Sequence, residues 1–224
     1  DGEFVKIMEV PFGETFGISR FDYASDNPDA AYVVSNLETD KIEIQRYDLR
    51  ANKVLATMYK DETYDVSGIT LSRKRNYEVD YFSHNGEKAV IVPVSDTYKK
   101  VQKRLQKDFG DKDFYVVGRT DDESKMMVVV TSDRIIGEYH LYDVEEDTVT
   151  LLYKILPQLE EQDMAAMTPI TFKSRDGITL HGYLTMPNGV KEGQKVPMIV
   201  NPHGGPQGIR DSWGFNPEAQ LFAS

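Results

Sequence analysis

Residues 196–224 read VPMIVNPHGGPQGIRDSWGFNPEAQLFAS, and the order of elements in this stretch decides the fold class. VPMIV (196–200) is a short, continuous apolar run, the pattern of a strand buried on both faces. A proline ends it, and His203, Gly204, Gly205 and Pro206 follow. Asn216, Pro217 and Glu218 then give a helix start: a capping side chain, a proline at the first helical position and an acid in the first turn. The expected order is therefore buried strand, glycine loop, helix. Glycines suit such a loop because a backbone without Cβ atoms can approach a bound molecule closely. Backbone N–H groups presented this way stabilise the oxyanion that develops in chemistry at a carbonyl, where losing one donor costs about 3 kcal/mol.

Outward from this stretch, ITFKSRDGITLHGYLTMP (170–187) holds two runs on either side of Asp176-Gly177, a hairpin turn, and NGVKEGQK (188–195) is a loop. LPQLEEQDMAAMTP (156–169) is a polar, proline-bounded connector expected to hold a short helix. Before it, residues 16–155 are short apolar runs separated by turn residues. KIEIQRYDL and KVLATMY flank RAN; YEVDYFS and KAVIVPVS flank HNGE; DFYVVGRT and KMMVVVTS flank DDES; EYHLYDV and TVTLLY flank EED. Each pair reads as a hairpin, most clearly at Asn85-Gly86, because Asn-Gly tolerates positive φ at both positions.

These strands repeat. Tyr32-Val33-Val34, Tyr47-Asp48-Leu49 and Thr57-Met58-Tyr59 recur as Met127-Val128-Val129, Tyr142-Asp143-Val144 and Leu151-Leu152-Tyr153. The offset of roughly 95 residues is two units of about 47, close to a four-stranded propeller blade. About three blades fit, with YEVDYFS…KAVIVPVS in the middle one; an ordinary antiparallel sandwich is the alternative. A helix interrupts them near 97–109, with Asp96 as the expected cap and Gly110 as the stop. Tyr98, Val101, Leu105 and Phe109 share its apolar side, and its lysines form a solvated face.

The fold class that follows is a partial all-β propeller over residues 1–160, then a connector and the N-terminal part of an α/β-hydrolase domain over 161–224. The net charge of −11 argues against a nucleic-acid footprint, and no apolar run is long enough for a membrane span. With no cysteine and four scattered histidines, neither thiolate catalysis nor a metal site is expected. No phosphate loop or dinucleotide fingerprint occurs, so no cofactor is expected.

SRDGITLHGYLTMP followed by VPMIVNPHGGPQGIRDSWGFNPEAQLFAS resembles the start of the catalytic domain of prolyl oligopeptidase family serine peptidases, in the branch of acylaminoacyl peptidases and dipeptidyl or oligopeptide hydrolases. The resemblance implies a β-propeller ahead of an α/β-hydrolase domain and cleavage of short peptides by a Ser–His–Asp triad. It implies an oxyanion segment at His203, Gly204 and Gly205, with the Gly205 N–H as leading donor and Gly204 as alternate. His203 either stabilises the oxyanion with its ring or orders the loop. Arg175, His181 and the Arg210–Phe215 segment match the family pattern in structural roles, with Trp213 as a packing anchor.

The family's nucleophile lies on a Gly-x-Ser-x-Gly elbow, and that motif occurs nowhere in these 224 residues. The expectation is a piece of a longer peptidase that stops before the catalytic serine and is inactive by itself. A carboxylesterase-type hydrolase, or a propeller interaction module carrying a dead hydrolase, are the competing readings.

Overall fold

The computed structural model describes residues 6–205 and 208–224, and Ser67 by its backbone alone. The chain divides into two compact units that meet between Leu105 and Gln106, so the expected boundary at 160/161 falls inside the second unit.

The first unit holds two antiparallel sheets. β1 (Phe16–Phe21), β2 (Ala30–Ser35), β3 (Glu43–Asp48) and β4 (Lys53–Tyr59) form a four-stranded meander in chain order. β5 (Val66–Ser72), β6 (Glu78–Asn85) and β7 (Ala89–Pro93) form a three-stranded one. The second unit holds a four-stranded meander of β8 (Asp113–Arg119), β9 (Lys125–Thr131), β10 (Glu138–Asp143) and β11 (Thr148–Lys154). It also holds a separate hairpin of β12 (Met167–Lys173) and β13 (Thr179–Thr185), and the helix α2 (Pro217–Ala223). All the expected hairpins form, and the three meanders stand where three blades were expected. Among the described residues no helix is long and apolar enough to cross a membrane.

Burial follows the strand order. The inner strands β2, β3, β9 and β10 carry the buried residues, and the outer strands β4 and β11 are largely exposed. Val33, Ile44, Val66, Val128 and Val130 are completely buried. Each such side chain contributes about 1.5–3 kcal/mol when fully removed from water. Ile44 of β3 packs with Val66 of β5 and Phe82 of β6, which joins the two sheets of the first unit.

The sequence repeat is visible as repeated turn chemistry. Tyr47 donates its hydroxyl hydrogen to Asn52 Oδ1 at 2.7 Å, and Tyr142 donates to Asp147 Oδ1 at 3.2 Å. Asn52 and Asp147 both sit at positive φ, 52° and 49°, a conformation that Asn and Asp reach more readily than other residues with a Cβ. Asp48 Oδ1 accepts from Ala51 N at 2.7 Å, and Asp143 Oδ1 accepts from Glu146 N at 3.1 Å. The third and fourth strands of both four-stranded sheets are thus joined by the same turn.

The helix α1 (Asp96–Phe109) lies between β7 and β8. Its cap is Ser95, one residue before the expected Asp96: Ser95 Oγ accepts from Tyr98 N at 3.0 Å and donates to Asp80 Oδ1 at 2.7 Å. Ser95 prevails because its buried hydroxyl reaches the orphan N–H and a buried carboxylate together, whereas Asp96 is exposed. Gly110 ends the helix as expected, at φ +65° with its N–H on Gln106 O at 3.0 Å. Tyr98, Val101 and Leu105 are buried, and Lys99, Lys100, Lys103 and Lys107 face outward. The connector contains a single 3-10 turn, Glu161–Asp163.

A further expectation fails. VPMIV is not a strand, and most of it is exposed, with Met198 81% and Val200 72% exposed. A strand exists only where a neighbouring strand accepts its hydrogen bonds. Among the described residues no strand pairs with this segment. A continuous apolar run encodes burial, but the partners that would bury it must come from elsewhere.

Candidate functional site

The glycine loop follows this exposed run. Asn201 begins it, and Asn201 Nδ2 donates to Glu218 Oε2 on α2 at 3.1 Å. α2 starts as the sequence requires: Asn216 Oδ1 accepts from Ala219 N at 2.9 Å, with Pro217 at the first helical position. After the loop, the half-buried Trp213 donates its indole N–H to Met167 O at 2.8 Å. Trp213 therefore ties the segment to the start of β12 by a hydrogen bond.

His203, Gly204 and Gly205 are exposed, and their neighbours Pro206 and Gln207 lie outside the described residues. Gly204 has a φ outside the left-handed region, and a Cβ built on it would meet nothing within 4 Å. Neither backbone strain nor crowding within the fold requires glycine there. Gly177, by contrast, is glycine for a local reason: it sits at φ +86° in the β12–β13 turn.

His203 Nδ1 lies 2.5 Å from Gly204 O. A carbonyl only accepts, so Nδ1 carries the hydrogen. In the neutral ring Nε2 is then an acceptor and has no N–H to offer an oxyanion.

The other histidines stand apart from it. His181 is exposed on β13, opposite Thr171. His84 is buried on β6, with Nδ1 3.3 Å from the Tyr59 hydroxyl and Nε2 3.7 Å from Asp61 Oδ2. His140 is buried on β10 against the edge of Phe109, with Nε2 3.4 Å from Glu138 Oε2. Burial alone would raise the pKa of Glu138. Lys154 at 2.9 Å and then His140 outweigh it and hold this carboxyl below its ordinary value. Asp176 in the β12–β13 turn is also lowered, first by the Ser174 hydroxyl and then by backbone N–H groups, and it orders the turn. Among the described residues no group of three or more His, Asp or Glu side chains is placed to hold a metal ion.

Two residues that tie α2 to the connector were not legible in the sequence. Gln220 of α2 is buried and bonds to Ala165, 55 residues away, and to Asp133, 87 residues away. Asp133 Oδ2 accepts from Met167 N at 2.7 Å. No local pattern marks either one; only the tertiary contacts do.

No protein-family profile matches the chain. The chain is 31% identical to dipeptidyl aminopeptidase BIII of Pseudoxanthomonas mexicana over 236 aligned positions, covering 100% of this chain and 33% of that protein. Among solved structures it is similar to Pyrococcus horikoshii acylaminoacyl peptidase, with a TM-score of 0.57 and 21% identity, covering 100% of this chain and 32% of that one. A structure from a study of two prolyl endopeptidases aligns with a TM-score of 0.51 and 12% identity, over 81% of this chain and 25% of that one. The chain thus spans about a third of the length of the curated relative it matches.

Proposed function

Because this chain belongs to the prolyl oligopeptidase family of serine peptidases, we propose that it forms part of a peptidase that cleaves short peptides by acyl-enzyme chemistry, with His203, Gly204 and Gly205 as its oxyanion segment. The observation that carries this reading is Gly204, a glycine that neither its φ nor its surroundings demand, in an exposed loop between an apolar run and an Asn-capped helix. The names of the two relatives, a dipeptidyl aminopeptidase and an acylaminoacyl peptidase, support a peptide substrate.

In this reading a serine alkoxide attacks the scissile carbonyl, and negative charge develops on its oxygen. The Gly205 N–H, with Gly204 as alternate, points at that oxygen and holds the charge without reorganising. Glycine at these positions lets the substrate carbonyl come within hydrogen-bond reach of the backbone. His203 keeps the loop in shape through its Nδ1–H bond to Gly204 O. The sheets of residues 16–154 belong to a propeller that restricts access to small substrates. The serine, aspartate and histidine of the triad lie in the rest of the full-length protein, since Gly-x-Ser-x-Gly is absent here. The 224 residues alone have no turnover, because an oxyanion hole cannot activate a missing nucleophile.

The test is a side-by-side assay of the full-length protein on peptide p-nitroanilides and p-nitrophenyl esters, with and without a serine-directed inhibitor. Inhibitor-sensitive anilide cleavage is expected. Turnover of esters alone would move the protein to the carboxylesterases. No turnover of either would make it a binding protein with a dead hydrolase domain.

A further inference from the structure

Gln220 is a neutral polar side chain on a seven-residue helix, yet only 8% of it is exposed. Both polar atoms of its carboxamide are used. Oε1 accepts from Ala165 N at 2.8 Å, and Nε2 donates to Ala165 O at 2.8 Å. This pair grips the connector backbone as a neighbouring strand would. Nε2 also donates to Asp133 O at 3.0 Å, in the corner between β9 and β10. From that corner the Asp133 carboxylate holds Met167 N at 2.7 Å, and Trp213 holds Met167 O at 2.8 Å. Residues 165 and 167 are thus held by a helix, a sheet corner and the end of the glycine segment together.

The glycine loop is attached to this frame at both ends. Before it, Asn201 is tied to Glu218, two residues from Gln220 on α2. After it, Trp213 is tied to Met167. Within the loop, His203 Nδ1 lies 2.5 Å from Gly204 O.

We infer that Gln220, Asp133 and Trp213 form a clamp that sets where the His203–Gly205 backbone stands, with Gln220 as a positioning residue for the peptidase reaction; the inference rests on the reading given above. A donor displaced by about 1 Å costs on the order of a hundredfold in rate, so a clamp remote from the reacting atoms governs turnover through geometry. Loss of the Gln220 carboxamide also leaves buried backbone groups of Ala165 and Asp133 without partners, which loosens the whole frame.

Trp213 is the sole tryptophan of the chain, so its fluorescence reports on the clamp directly. In Gln220→Glu the shape is kept and one oxygen still accepts from Ala165 N, but the second carboxylate oxygen faces the carbonyls of Ala165 and Asp133. Gln220→Met keeps the length without hydrogen bonds and serves if the first variant does not fold. Two readouts decide the matter: Trp213 emission in the 224-residue chain, and kcat and KM for a peptide p-nitroanilide in the full-length protein. The expected result is a red-shifted, more quencher-accessible Trp213, with kcat lowered about tenfold or more and KM within about twofold. Unmoved emission overturns the clamp. Shifted emission with an unchanged kcat overturns its positioning role. If the wild-type full-length protein cleaves no peptide, the peptidase reading fails, the positioning role falls with it, and emission alone decides whether the clamp exists.

Discussion

Replacing Gly204 by alanine separates stability from function, and the structure sets both magnitudes. The new methyl group would meet nothing within 4 Å, and the φ of Gly204 lies outside the left-handed region. The fold therefore has no reason to resist it. A Gly→Ala change at such a site stabilises by about 0.4–1 kcal/mol through the unfolded chain. For a chain of this size that moves Tm upward by about 1–4 °C. Function responds in the opposite sense. A methyl group on the substrate side of the loop holds the scissile carbonyl away from the backbone N–H groups. Loss of one oxyanion donor costs about 3 kcal/mol, or about a hundredfold in kcat. The assay is kcat and KM for a peptide p-nitroanilide on full-length Gly204→Ala, with thermal melts of the same preparation. A Tm several degrees lower would show that the fold needs this glycine after all. A wild-type kcat at wild-type Tm would falsify its place in the oxyanion segment.

Ser95→Ala removes the cap of α1 and a hydrogen bond to the buried Asp80, and should cost about 2–3 kcal/mol in urea unfolding, whereas Asp96→Ala should change stability by less than about 0.5 kcal/mol; equal effects would restore Asp96 as the cap. Glu138 has a depressed carboxyl pKa, so its contribution to stability is complete above the ordinary glutamate value of about 4.3 and is lost as pH falls through the lower folded value. The gap between wild type and Glu138→Gln in urea melts should therefore be widest near neutral pH and close as pH falls below the ordinary glutamate value; a gap independent of pH would refute this assignment. Leu105→Ala opens a cavity at a fully buried position on α1 and should cost about 2–5 kcal/mol, read as a lower urea midpoint.

The hairpins were legible because each is closed by local turn chemistry. Asp176-Gly177 and the Asn52 of RAN place a positive φ where the turn needs one, whereas HNGE closes its hairpin without the positive φ expected of Asn85-Gly86, with the Gly86 N–H on Lys88 O at 2.9 Å. The repeat between Tyr47-Asp48 and Tyr142-Asp143 was legible for the same reason, since tyrosine, aspartate and a left-handed Asn52 or Asp147 lie within five residues of one another. Asn216-Pro217 likewise announced α2 from three consecutive residues. The α1 cap was placed one residue late, because the choice between Ser95 and Asp96 turns on Asp80, fifteen residues away. The glycine loop was visible as a motif. Of its anchoring only Trp213 was, because the other residues that hold Ala165 and Met167 come from positions 133 and 220.

By itself, then, the sequence determined what depends on short-range periodicity and backbone preference: strand pairs, turns, helix starts and the presence of a glycine segment. Only the tertiary structure decided which polar side chains are buried and partnered, and that VPMIV stands exposed with no neighbouring strand among the described residues. The physical reason is one of range. Turns and caps are satisfied within a few residues, so they are written locally. A buried hydrogen bond or a strand partner is supplied by whatever residue the fold brings close, and its position along the chain leaves no local mark.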